Sequence, residues 1–301
     1  MDGSRSGHER RTAILLALLV TVLWSTSWVL IKVGLREIPP LPFAGLRYAL
    51  ATLVLVPFFL RAGGTSALRK LPARGWAEIL FLGILFYTLT QGAQFVALER
   101  LPAVTVNLLL GLTSPLVALL GIRLLSERPV PVQWAGLVLA VVGAGVYFGP
   151  LAVHRGETIG LLVAGLGVLA NAGSSLLGRA VNRRGDLSPL VVTTASMGVG
   201  AGLLLGVGLA REGLPRLGWL EWGIVVWLAV VNTALAFTLW NRTLRVLSAM
   251  ESSVINTAMM VEIPVLAALF LGERPGPVEI FGFCIAAAGI VLVQLRPAAK
   301  A

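Results

Sequence analysis

The chain has 301 residues, 57% of them hydrophobic and 13% charged, with a mean hydropathy of +0.88. A soluble domain carries roughly 25% charged residues, so this composition excludes an ordinary soluble globule. The net charge is +10, but the 24 Lys and Arg stand singly in short connectors rather than on one face, which points to membrane topology and away from nucleic acid.

Apolar runs recur along the whole chain, at residues 12–34, 42–60, 75–98, 103–124, 131–149, 157–178, 188–210, 219–242, 250–271 and 277–295. Each is long enough, or nearly so, for a hydrocarbon core of roughly 30 Å at about 1.5 Å per residue. The predicted class is an all-α polytopic membrane protein of ten transmembrane helices, with residues 1–11 and 296–301 as tails. Arg10 and Arg11 precede the first run as in a signal peptide. That run exceeds an h-region of about 7–15 residues and lacks an A-x-A-like cleavage site before the next span, so it is read as a retained helix.

Sixteen Lys and Arg fall on the side of the two termini and seven on the other, with Arg47 inside a span. The bias places both termini in the cytoplasm of a multi-pass cell-membrane protein. Lys32 and Arg47, near the outer ends of the first two spans, are expected to snorkel to the interface or to pair with Glu37 or Glu99.

Polar residues lie deep in several spans, where they must be satisfied inside the protein. The first span offers Trp24, Ser25 and Ser27; the third Tyr87, Gln91 and Gln94; the fourth Asn107, Gly111 and Ser114, at spacings that keep one helical face. The sixth has Asn171, Ser174 and Ser175, the eighth Asn232, Thr233, Trp240 and Asn241, and the ninth Ser252, Asn256 and Met260. The seventh repeats Gly198, Gly202 and Gly206, a spacing that lets helices approach closely. Glu262, near the middle of the ninth span, is costly as an isolated charge. It is either a proton carrier with a raised pKa or a structural hydrogen-bond partner.

The chain matches itself at a constant offset of 146 residues: "ALERLPA" from Ala97 falls on "TLRVLSA" from Thr243, and "SERP" ending at Pro129 on "GERP" ending at Pro275. Trp76 falls on Trp222, Gly136 on Gly282 and Gly143 on Gly289. Each copy, residues 12–149 and 157–295, holds five spans. An odd number inverts the second copy, and inverted repeats point to secondary transport around a site near the midplane. The offset pairs spans 1 with 6, 3 with 8 and 4 with 9, the set that carries the deep polar residues. Those six are expected to line a central pathway, with spans 2, 5, 7 and 10 as scaffold. Glu127 and Glu273 occupy equivalent positions at span ends and are expected to act as connector locks.

Three stretches, "LWSTSWVLIKVGLREIPPLPFAGLRYAL" from Leu23, "TSPLVALLGIRLLSERPVPVQWAGLVLAVVGAGV" from Thr113 and "VINTAMMVEIPVLAALFLGERPGPVEIFGFCIAAAGIVLV" from Val254, resemble the drug/metabolite transporter superfamily, in its EamA-like ten-helix branch. The resemblance covers Thr12 to Leu295. It implies a carrier that exports or exchanges amino acids, other small metabolites or drugs through a cavity between two halves. The chain departs from the family at Ser25, Thr26 and Ser27, where Gly-Ser-Asn is frequent, and at Pro115, whose repeat position is Val261, with Pro264 three residues later. The two halves are therefore not expected to bend identically.

The expected function is a secondary transporter moving amino acids or similar solutes by alternating access, with an organic-cation exporter as the alternative. Its partners are a small-molecule solute, membrane lipid and, for coupling, protons. The expected pathway residues are Trp24, Ser27, Tyr87, Gln91, Gln94, Asn107, Ser114, Asn171, Ser175, Asn232, Trp240, Asn241 and Asn256, with Glu262 as the coupling candidate. An intramembrane enzyme would want clustered acids, His or Cys, yet His8 and His154 lie in a terminus and a connector and Cys284 stands alone. No phosphate-binding glycine motif precedes a Lys-Ser or Lys-Thr, so no cofactor, metal or ATP is expected.

Overall fold

The computed structural model describes residues 2–124, 130–149, 155–247 and 249–294, and these are helical apart from short connectors. The helices are α1 Asp2–Gly34, α2 Pro40–Arg61 and α3 Ala73–Arg100. Next come α4, in two pieces Ala103–Gly111 and Thr113–Leu124, α5 Pro131–Phe148 and α6 Arg155–Arg184. Then follow α7 Pro189–Glu212, α8 Trp219–Thr243, α9 and α10 Pro277–Gln294. The ninth, α9, is built from Ala249–Asn256, Met259–Leu266 and Ala267–Leu271. Among the described residues nine helices are long and apolar enough to cross a membrane, and α9 provides the shorter apolar segment Met259–Leu271.

Two expectations about extent change. Residues 1–11 were expected as a tail, but α1 continues back to Asp2, while the sixth helix runs beyond 157–178 at both ends. The 250–271 span is not continuous, because the chain leaves the helix at Thr257 and Ala258. Glu127, Arg128 and residues 296–301 lie outside the described residues.

Proline marks several helix starts, with Pro40, Pro131 and Pro189 in the first turn, where the missing N–H costs nothing. At α7 the Ser188 hydroxyl also accepts the Val191 N–H.

The repeat is visible in how the helices deviate from regularity. α4 breaks at Leu112 and α9 at Thr257–Ala258, positions that coincide under the 146-residue offset. Pro115 accounts for the first break by removing the bond to the Gly111 carbonyl; Pro264 lies further from the second, so the two bends differ as expected. α3 and α8 each widen to i→i+5 turns, over Gly83–Thr90 and Val230–Leu235, again at matching offset. In both, a threonine hydroxyl reaches the carbonyl five residues back, Thr90 to Leu85 and Thr233 to Leu228, each at 2.8 Å.

Across the repeats, α1 packs on α8 and α9, and α6 packs on α3 and α4. The helices α5 and α10 meet backbone to backbone, so that a Cβ at Gly136 would stand 2.7 Å from the Gly289 oxygen and one at Gly143 2.7 Å from the Gly282 oxygen. Each repeat glycine thus faces the other's counterpart across a pseudo-two-fold axis. α2 and α7 pack similarly, Gly45 against Leu205 and Gly208 against Pro42. The close approach expected of Gly198, Gly202 and Gly206 holds for the first alone. Gly198 faces α2, where a Cβ would stand 3.3 Å from the Thr52 side chain, but Gly202 and Gly206 are exposed with nothing within 4 Å of a Cβ, and Gly200 and Gly208, turned to α3 and α2, make the closest approaches.

Candidate functional site

A cavity of about 440 Å³ lies inside the bundle. Its wall takes Trp24, Ser27 and Trp28 from α1, Gln91 and Gln94 from α3, Asn107 and Ser114 from α4, Asn171 and Ser175 from α6, Phe237 from α8 and Asn256 and Met260 from α9. The scaffold expectation for α2 and α10 changes, because α2 adds Arg47 and Tyr48 and α10 adds Ile290 and Gln294. The reason is that α2 lies against the widened turn of α8 and α10 crosses the break of α4, so both reach the interior.

Nine of the thirteen pathway residues expected from sequence are brought together on this wall: Trp24, Ser27, Gln91, Gln94, Asn107, Ser114, Asn171, Ser175 and Asn256. Four are placed elsewhere. Tyr87 is buried edge-on to Tyr48, at 5.5 Å between ring centroids, and lines a smaller adjoining cavity with Phe86, Ser175 and Phe237. Asn232 is fully buried and donates to the Leu23 carbonyl and the Thr26 hydroxyl, tying α8 to α1. Trp240 packs behind Trp24 at 5.2 Å, and Asn241 is half-buried away from the wall.

Arg47 is corrected most. It neither snorkels nor pairs with Glu37 or Glu99: the side chain is buried, Nε donates to the Thr233 hydroxyl at 3.0 Å, and the guanidinium lies 5.1 Å from the centre of the Tyr48 ring. The Tyr48 hydroxyl in turn donates to Gln91 Oε1 at 2.6 Å. A sequence signal existed, since Arg47 stands seven residues into its helix, about 10 Å from the end, where charge is by default functional. Lys32 belongs elsewhere, in a depression on the side away from the termini with Arg36, Glu99, Arg100 and Glu273.

Glu262 does not line the cavity. Its carboxylate accepts from the Thr21 hydroxyl at 3.0 Å and the Ser25 hydroxyl at 2.7 Å, joining α9 to α1. Asn171 donates to the Thr113 hydroxyl at 3.2 Å, beside the break of α4, and Gln294 to Ser114 at 3.2 Å.

The two ends of the bundle differ. On the side away from the termini, Glu273 at the end of α9 accepts the N–H groups of Ala103 and Val104 at 2.7 and 3.1 Å, capping the start of α4 across the two repeats. Ile31, Phe43, Phe95, Leu98, Leu101 and Val104 are all buried in that half and close it. Toward the termini the cavity extends to Gln294, the last described residue of α10. Salt bridges at that end of the bundle join Arg10 to Glu251 at 2.6 Å and Arg184 to Glu78.

The cavity thus draws its wall from both five-helix halves of the chain. The model of the EamA-like transporter family matches residues 11–149 and again 158–295. The chain belongs to the EamA-like transporter family. Among relatives, a protein of Salmonella typhimurium described as a probable amino-acid metabolite efflux pump is 28% identical over 290 residues, covering 92% of this chain and 93% of that one. Its Escherichia coli namesake is 35% identical over 178 residues, 56% of this chain and 52% of the relative. The uncharacterized transporter YvbV of Bacillus subtilis is 28% identical over 213 residues, 70% and 67% of the two chains. A solved crystal structure superposes with a TM-score of 0.67 at 21% identity, over 94% of this chain and 97% of that one, and shares the fold. The EamA-like chain is thus a multi-pass membrane transporter, and its two family matches coincide with the two halves that enclose the cavity.

Proposed function

We propose that this EamA-like transporter is a secondary carrier that exports or exchanges amino acids or similar small metabolites by alternating access. The observation that carries this reading is the cavity itself, lined by polar and aromatic side chains of both repeats and closed by packed apolar residues on the side away from the termini. The efflux-pump names of the two enterobacterial relatives point the same way. With the termini cytoplasmic, as the Lys and Arg bias favours, the cavity faces the cytoplasm and an exporter loads from there. The aromatic side chains of Trp24, Trp28 and Phe237 on the wall are the feature that favours the second reading, an organic-cation exporter.

Secondary transport needs a gradient. Glu262 is the acidic residue deepest in a span among the described residues, at a contact between the repeats that must shift during exchange, and we assign it the coupling proton.

The test is reconstitution into liposomes, with counterflow of labelled amino acids measured with and without a pH gradient. Saturable exchange of at least one amino acid is expected, and absence of flux for all of them contradicts the carrier reading.

A further inference from the structure

Arg47 is the one formal charge on the cavity wall among the described lining residues, and no carboxylate pairs with it there. Its Nε is used by Thr233 and its face by Tyr48, which leaves the N–H groups of both terminal nitrogens, a fork shaped for a carboxylate. A charge in the membrane interior without a counter-charge is expensive, and a ligand that supplies one recovers much of that cost.

A second, independent observation points to an acceptor ligand. Asn107, 5% exposed and on the same wall, has its Nδ2 amide with no hydrogen-bond partner. Buried donors are rarely left so unless something absent satisfies them. Gln91, whose Oε1 already accepts from Tyr48, adds a further N–H group to the wall.

We propose that Arg47 is the carboxylate anchor of the cavity, that Asn107 and Gln91 donate to the same ligand, and that the transported solute therefore bears a free carboxylate, as an amino acid or an organic acid does. This rests on the carrier reading above and narrows it. Under the 146-residue offset Arg47 corresponds to Thr193, so the charge belongs to one repeat and the solute is held in one orientation. A carboxylate at Arg47 leaves Asn171, Ser175 and the ring of Trp24 to receive the remainder, including an ammonium group. An organic cation would instead meet the guanidinium as a like charge.

The experiment uses the full-length protein in liposomes and in detergent. Counterflow and ligand-induced thermal stabilisation are measured with the proteinogenic L-amino acids, succinate and benzoate, with the amides of the same acids, and with tetraphenylphosphonium. Acids are expected to bind about 100-fold more tightly than their amides, the loss characteristic of an unpaired buried charge. Arg47→Gln is expected to erase that preference, and Arg47→Lys, which keeps the charge without the fork, to retain part of it. Asn107→Ala should weaken acids more than amides. The comparison of acid with amide in the unaltered protein stands even where Arg47→Gln fails to fold. Equal binding of acids and amides, or tighter binding of tetraphenylphosphonium, overturns the inference and leaves the carrier reading intact. An acid preference that survives in folded Arg47→Gln overturns the assignment to Arg47. No flux for any solute defeats the carrier reading and the inference together.

Discussion

At the scale of single residues, burial in a membrane separates groups that the sequence leaves equivalent. Lys32 and Arg47 read alike, as cations near the outer ends of the first two spans, yet only Arg47 turns inward. The difference lies in what each helix packs on, since α2 leans on the widened turn of α8, where the Thr233 hydroxyl waits. The segment from Trp24 to Ser27 splits in the same way: Trp24 and Ser27 face the cavity, while the Ser25 hydroxyl binds Glu262. Glu262 is engaged by two hydroxyl groups of α1, in a tie between the repeats. Replacing Glu262 with Gln removes the proposed proton site and keeps a hydrogen-bonding side chain of the same size. Uptake driven by a pH gradient is expected to drop several-fold, with counterflow exchange at equal pH retained. A variant with unaltered pH dependence would remove Glu262 from the coupling mechanism.

At the scale of helices, the close pairs α5–α10 and α2–α7 hold the bundle by backbone approach rather than by long side chains, as expected where lipid supplies no hydrophobic drive between helices. A Cβ at Gly143 would meet the backbone of Ala286 and Gly282, whereas one at Gly145 would meet nothing within 4 Å. Gly143→Ala is expected to destabilise by about 1–3 kcal/mol through overpacking and Gly145→Ala to be neutral, as read from thermal unfolding in detergent. Equal melting temperatures for both would show that the α5–α10 contact yields. Much of this was legible in sequence. Apolar length fixes the number of spans, and the offset predicts that Gly136 and Gly143 have counterparts. The sequence does not tell which glycines of a run face a neighbour, because Gly198, Gly202, Gly206 and Gly200, Gly208 are all compatible with small-residue packing, and the neighbour's position decides. Nor does it show the break in α9, since Pro264, the visible helix breaker, lies beyond the bend at Thr257–Ala258.

At the scale of the whole molecule, the two repeats make the same contacts in opposite directions, and the asymmetry between them carries the state. The Glu273 cap on α4 and the packed layer around Phe43 and Phe95 seal the side away from the termini, while the cavity reaches the other side at Gln294. Nine of the expected pathway residues converge because the offset pairs the polar spans α1 with α6, α3 with α8 and α4 with α9. Those that do not, such as Asn232 and Tyr87, sit where a widened turn rotates part of a helix, and no sequence period reports such a rotation. The proposed route of the solute is this one cavity. Ser114, half-buried on its wall, offers the most direct test in a protein whose own cysteine has been replaced by Cys284→Ser. Counterflow of the transported amino acid is measured through the Ser114→Cys variant before and after reaction with a methanethiosulfonate reagent. Modification is expected to abolish flux, and saturating solute to slow the modification. Undiminished flux through protein fully modified at Ser114 would contradict that route.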